Sequence, residues 1–230
     1  MVTIRVTMWQ LSLVVLESRS AQMRAETKAV RHACQQHPFV LGIADGSLAP
    51  VVFVRWVVQD WRYLLTYVEV LEELATLAPT EEVTRYWNKL AEFTRKDELV
   101  LHRVYAKRFG ISEQELDHAK DAPATIAYTA FLRAQVKRSY AHGVASLVPC
   151  GVGYITLATE LAKGPLPKDD RYADWIRSYS DESFAQAVAW MEKELDGVSG
   201  DESELAATYR QGAQHELDFW EQLWTGWESV

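Results

Sequence analysis

Three groups of residues in this chain have types and spacings that suit covalent and acid–base chemistry on a small planar molecule. Cys150 directly follows Pro149 in the run Leu147-Val148-Pro149-Cys150, and Tyr154 lies one helical turn further on. Proline is favoured at the first position of a helix, so this reading starts a helix at Pro149 and places the thiol at its N-terminus. Free backbone N–H groups and the positive end of the helix dipole would stabilise a thiolate there. The competing reading is a small, buried and unreactive cysteine. Asp60, Tyr63 and Tyr67, at i, i+3 and i+7, share one face of an otherwise apolar helix. A buried carboxylate needs a partner, so Asp60 is either a structural hydrogen-bond hub or a group that holds a ligand's amino and ring nitrogens. Glu216, Phe219 and Trp220 repeat the arrangement near the C-terminus, with a solvated glutamate on an amphipathic helix as the alternative.

Glu98 and His102, at i and i+4, have a spacing that suits metal ligation. Di-metal carboxylate sites repeat such pairs on several long helices. Here Glu115 and His118 lie on a short polar segment instead, so a structural Glu–His hydrogen bond is the expected role. The chain has no glycine-rich phosphate loop, no Gly-x-Ser-x-Gly elbow and no paired-cysteine zinc pattern. Cys34 lacks any helix-terminal placement and reads as structural. Two cysteines make no disulfide framework, which favours a reduced, cytoplasmic protein.

The elements that must hold these groups are helices. Gln22 to Gln36 is predicted as the first, ended by Pro38. Asp45-Gly46-Ser47 reads as a turn, and Pro50 opens a long helix that runs to Ala78 with apolar residues three or four apart. Thr80 caps the next, rich in acids at its start and closed by Gly110. Ser112 and Glu115 form a capping-box pattern. Further helices are expected over Ala124–Ala145, Pro149–Lys163, Asp170–Tyr179, Glu182–Leu195 and Glu202–Trp224. No segment alternates with period two. The expected fold is therefore all-α, a single domain of about eight or nine helices spanning residues 21–230. Residues 1–20 read as an N-terminal extension or a misassigned start, Met23 being an internal candidate, with a secretory signal as the lesser alternative. The uncharged stretch Ser139–Thr159 is broken by His142, Pro149 and three glycines. It reads as two buried helix ends meeting at Pro149 rather than as a membrane span.

The 230 residues carry 24 basic and 32 acidic side chains, a net charge of -8, which argues against nucleic-acid binding. Nine Trp, ten Tyr and seven Phe exceed the needs of a small core, and rings in such numbers suit a pocket for a flat ligand.

Taken in order, the segments resemble the TenA family, also called thiaminase II or aminopyrimidine aminohydrolase. The resemblance covers about Met23 to Trp224. It rests on His37-Pro38-Phe39-Val40, Asp45-Gly46, Gln59-Asp60 with Tyr63, and Leu101-His102. It continues through Ala127-Tyr128-Thr129, Pro149-Cys150 with Tyr154, Trp175-Ile176 with Tyr179, and Glu216 with Phe219-Trp220. The resemblance implies a heme-oxygenase-like helical bundle, commonly a homotetramer, that needs no metal or cofactor. It implies Cys150 as nucleophile, Glu216 as proton-transferring group and Asp60 as the carboxylate that recognises an aminopyrimidine. Tyr63, Tyr128, Tyr154, Tyr179 and Phe219 would line the pocket. The implied substrate is an aminomethyl-pyrimidine, its formyl derivative or thiamin. Gly151 and Gly153 stand where relatives often carry bulkier residues, which implies a wider pocket or a looser helix start. An oxidase on the same fold, cofactor-free or metal-dependent and suggested by Glu98 and His102, and a non-catalytic pyrimidine-binding regulator are the other function classes.

Overall fold

The structure is a computed structural model that describes residues 17–227. The proposed extension lies outside the described residues, apart from its last four positions. Three of these already belong to the bundle: Ser20 is buried in α1 (Arg19–Glu26) and its N–H donates to Asp196 Oδ1. Ser18 Oγ accepts from the Ala21 N–H to cap that helix, and Arg19 bonds to Glu202 and to the Leu195 and Val198 carbonyls.

The predicted first helix is two, α1 and α2 (Lys28–Gln35), which part at Thr27, whose hydroxyl bonds back to the Met23 carbonyl. His37 caps α3 (Pro38–Asp45), accepting from Phe39 N through Nδ1. The predicted turn follows: Gly46 takes the left-handed conformation at φ 78°, and Asp45 Oδ1 accepts from Ser47 N. Pro50 opens α4 (Pro50–Leu77), the longest helix.

The segment expected as one helix up to Gly110 is interrupted. Between α5 (Glu81–Phe93) and α6 (Leu99–Arg108) runs a π-helical turn, Thr94–Glu98. Its wider hydrogen-bond ring rotates the side chains that follow relative to α5. The capping box forms as expected on α7 (Glu113–Asp117). α8 (Pro123–Arg138) ends at Ser139, which caps α9 (Tyr140–Leu161). α10 (Asp170–Tyr179), α11 (Glu182–Gly197) and α12 (Glu202–Thr225) follow close to their expected spans. No strand occurs among the described residues.

The expected junction at Pro149 is not there, which corrects the reading of the most reactive position. α9 passes unbroken through Pro149, and the real break lies ten residues earlier, at Ser139. An interior proline withdraws one N–H from the helix ladder and crowds the turn before it, at a cost of about 3 kcal/mol. Tertiary packing offsets this. α9 is apolar enough to span a membrane by composition, yet most of it is buried as the central helix of the bundle. α12 reaches it through Gly212, where a Cβ would stand 2.9 Å from the Ser146 carbonyl oxygen and 3.1 Å from Pro149 Cγ. Only glycine lets the two backbones approach this closely.

The aromatic surplus is mostly core. Trp56, Trp61, Trp87, Trp175 and Trp220 are buried, Trp190 packs against the core's edge, and Trp224 is exposed. Phe53, Trp56, Tyr105 and Tyr172 interlock through edge-on and tilted ring contacts at centroid distances of 5.1–5.9 Å.

Candidate active site

The helices bring all nine sequence-derived site residues to one buried chamber. α4 contributes Asp60, Tyr63 and Tyr67, and α8 contributes Tyr128. α9 adds Cys150 and Tyr154, α10 Tyr179, and α12 Glu216 and Phe219. The chamber has two lobes that share Asp60, Tyr63, Cys150 and Tyr154. The inner lobe, with Tyr128, Glu216 and Phe219, holds about 170 Å³ of empty space. The outer lobe holds about 350 Å³ and adds Tyr67, Glu98, Gly151, Tyr179 and Phe184. Sequence reasoning does not place Glu98 or Phe184 on this chamber. The i, i+4 spacing of Glu98 and His102 marks the pair but not its role.

Asp60 is the most heavily partnered group. Tyr154 donates its hydroxyl to Oδ1 at 3.1 Å, and Trp56 Nε1 donates to that same hydroxyl oxygen at 3.2 Å. His102 Nε2 stands 2.7 Å from Oδ2, off the line of an ideal hydrogen bond, so the two meet chiefly as an ion pair. His102 Nδ1 is 2.9 Å from the backbone carbonyl oxygen of Glu98. The Glu–His bond expected from sequence is thus made to a backbone carbonyl, and the side-chain partner is Asp60. A carbonyl can only accept, so Nδ1 carries a proton, and the Asp60 carboxylate beside Nε2 favours a second proton there. Burial opposes that charge, but Asp60 outweighs it and raises the His102 pKa. Both ring nitrogens are therefore committed to protein acceptors.

Tyr128 donates to Glu216 Oε1 at 2.6 Å. Burial pushes Glu216 up to about 7; the Tyr128 hydroxyl works against that shift and the negative Asp60 adds to it. A carboxyl poised there can both give and take a proton near neutrality. Glu216 Oε2 faces Gly153, where a Cβ would lie 3.8 Å away in ordinary van der Waals contact. Gly151 serves packing instead: a Cβ there would stand 2.8 Å from Met191 Cε and 3.0 Å from Val188 Cγ2 of α11.

Cys150 lines the inner lobe beside Tyr63 and Glu216. Sitting in the middle of α9, it has no free backbone N–H groups and no dipole end to stabilise a thiolate. Burial raises its pKa well above the ordinary thiol value, and the negative Glu216 raises it further. The expected helix-terminal activation is replaced by a neutral thiol beside a carboxyl group. Burial likewise keeps Tyr63, Tyr128, Tyr154 and Tyr179 as neutral hydroxyls, able to donate but not to act as bases. Both cysteines are free; Cys150 is half-buried, while Cys34 is buried, and burial pushes it up to about 12.

This arrangement can grip a flat, hydrogen-bonding ring, deliver a thiol to it and move protons at one edge. Known proteins are similar to the chain over the same span. The model of the TENA/THI-4/PQQC family matches residues 21–226. An aminopyrimidine aminohydrolase from Halalkalibacterium halodurans is 32% identical over 89% of this chain and 94% of its own length. A TenA homologue from P. horikoshii OT3 superposes with a TM-score of 0.86 at 22% identity, covering 92% of this chain and all of that one. A heme-oxygenase-like domain from Shewanella denitrificans superposes at 0.67 and 11% identity, covering 89% of each chain.

Proposed function

The chain belongs to the TENA/THI-4/PQQC family, and from that membership we propose that it is a hydrolase of thiamin salvage. Its reaction converts 4-amino-5-aminomethyl-2-methylpyrimidine and water to the 5-hydroxymethyl compound and ammonia, with cleavage of thiamin as a related activity. The observation that carries this reading is the convergence of Cys150, Glu216 and Asp60 on one aromatic chamber.

Asp60 accepts from the ring's 4-amino group while His102 and Tyr154 fix its orientation. Glu216, partly ionised near neutrality, acts as general base and draws off the Cys150 proton as the sulfur attacks. The thiolate adds to an electron-poor carbon of the pyrimidine, and the electron pair moves into the ring nitrogens. That electron density then expels the amine from the exocyclic methylene, and Glu216 returns the proton to the departing nitrogen. Water adds to the methylene and gives a proton to Glu216. The thiolate leaves, recovers that proton and restores the aromatic ring. The walls Tyr154, Tyr179 and Phe219 exclude bulk water and strengthen each directing hydrogen bond.

Purified protein mixed with the aminomethyl-pyrimidine, its formyl derivative and thiamin, followed by mass spectrometry, tests the reading. Turnover abolished in C150A supports it. Full activity in that variant overturns the cysteine pathway, and binding without turnover favours a regulatory protein.

We assign the protein to the reduced cytoplasm as a homotetramer that contacts neither nucleic acid nor membrane. Two free cysteines and the acidic charge support the compartment and the absence of nucleic acid. Exposed Val51, Val100 and Ile126 supply apolar surface for subunit contact. Light scattering behind gel filtration tests the assembly: a mass of one or two chains contradicts it.

A further inference from the structure

Glu98 occupies a position that the proposed reaction leaves unused. With Tyr179 and Phe184 it lines the outer lobe of the chamber, and the same three residues line an open surface groove with about 1120 Å³ of empty space. They therefore frame the mouth through which the chamber meets the exterior. The π-helical turn ends on Glu98, and the Glu98 backbone carbonyl anchors His102, so this side chain stands at a locally re-aimed point of the backbone.

The Glu98 carboxyl has no basic partner among the described residues. The neighbouring cations are committed elsewhere: Lys96 to Glu92, Arg95 to Glu72, and Arg177 to Asp174. His102, the nearest positive group, is paired with Asp60. Burial and the negative Asp60 push Glu98 up to about 7. A half-buried carboxyl that lacks a cation, flanked by two aromatic faces, is a place where a cation gains on both counts.

The chamber's shape says which part of a ligand arrives there. Asp60, Tyr63, Cys150 and Tyr154 belong to both lobes, so a ring held by Asp60 against Cys150 straddles them. The inner lobe is too small for a ring and a second bulky group together. A substituent larger than an amine must extend through the mouth, past Glu98.

We propose that Glu98, Tyr179 and Phe184 form a second binding site for a positively charged group carried on the pyrimidine's exocyclic methylene. Glu98 thereby sets a preference for cationic over neutral substituents. The inference rests on the aminopyrimidine reading and deepens it: ring recognition belongs to Asp60, and recognition of the departing portion belongs to the mouth.

The test is a comparison of wild type with E98Q and F184L on thiamin, which carries a permanent cationic ring, and on the neutral formylaminomethyl-pyrimidine. In E98Q the KM for thiamin is expected to rise about tenfold, near 1.4 kcal/mol, while the KM and kcat for the formyl compound stay within about twofold. F184L should raise the thiamin KM about threefold with the same bias. Equal losses on both compounds, or no change on either, overturn the proposal. Tryptophan fluorescence titrations with the same two compounds read binding apart from turnover. Wild type that binds both but turns over neither defeats the hydrolase reading alone, and the selective weakening in E98Q still decides this one. Wild type that binds neither defeats both. Circular dichroism of each variant checks folding, and E98D, which keeps the charge but withdraws it, should lie between wild type and E98Q.

Discussion

His102 Nε2 lies 2.7 Å from Asp60 Oδ2, while the other ring nitrogen is held 2.9 Å from the Glu98 carbonyl oxygen. The imidazole, whose protonated form Asp60 favours, thus faces the carboxylate that both lobes of the chamber share, and a backbone bond to the π-helical turn fixes its orientation. H102Q should leave Asp60 buried without its counter-charge, which typically costs about 3–5 kcal/mol of stability. Urea unfolding reads that loss. In the same variant KM should rise more than kcat falls, because Asp60 holds the ring while Cys150 and Glu216 do the bond changes. A variant whose kcat collapses at unchanged KM would show that His102 acts in the chemistry itself.

The proton inventory around Cys150 predicts the pH profile. A neutral thiol needs Glu216 ionised in order to hand over its proton, so kcat/KM should climb as pH rises through about 7. Tyr128 stabilises the Glu216 carboxylate through its hydroxyl at 2.6 Å. Y128F should therefore move that limb to higher pH, since the bond it removes is one that lowers the Glu216 pKa. E216Q should lose activity by roughly 100-fold or more and show no limb at all. A profile in Y128F that moves to lower pH would contradict the assignment.

Stability should respond to pH in the opposite sense to the usual carboxylate. Glu98 and Glu216 both stand at about 7 in the folded chain against a reference value of 4.5. Between those values the folded protein holds protons that the unfolded chain has released, so folding stability falls as pH rises through the window. Each unit of difference is worth about 1.4 kcal/mol at one site. Thermal unfolding of the ligand-free protein at pH 5 and pH 8 measures the effect. E98Q and E216Q should each flatten the curve, and an unchanged slope in both would refute these two carboxyls as its origin.

The close approaches that α9 makes to α12, and to α4 and α8, are testable at two glycines outside the chamber. In G212A the new methyl would meet the Ser146 carbonyl oxygen at 2.9 Å, and in G143A it would meet Leu74 Cδ2 at 2.9 Å and the Val136 backbone at 3.1 Å. Overpacking of this kind costs about 1–3 kcal/mol. G212A should be the worse, because backbone cannot yield as a leucine tip can. G153A, with 3.8 Å to its nearest atom, should fold as well as wild type or better.

Much of the fold and site is legible in the chain, and the reasons are local. Asp60, Tyr63 and Tyr67 share a face because helical spacing alone puts them there, and Ser112 with Glu115 forms its capping box because four residues suffice to specify it. Sequence misleads where its signals are ambiguous at short range. Pro149 reads as a helix start, and nothing near it reveals that α12 presents Gly212 to a helix that runs straight through. Ser139, whose side chain caps His142 N, is the true boundary and follows the basic pair Lys137 and Arg138, itself a helix-ending signal. The π-helical turn is made of ordinary helix-forming residues, so no local pattern announces it. The place of Glu98 is hidden with it, and the Asp60–His102 pair depends on α4 meeting α6, which no spacing within one helix can report.

The place of Cys150 in mid-helix has a pharmacological consequence. A half-buried thiol that stays protonated offers little to general alkylating reagents, whose rate follows thiolate content. A compound shaped to sit against Asp60 would meet that sulfur while Glu216 drew off its proton. An aminopyrimidine bearing a poor electrophile should therefore label the protein selectively where iodoacetamide does not, with the architecture of α9 serving as the selectivity filter.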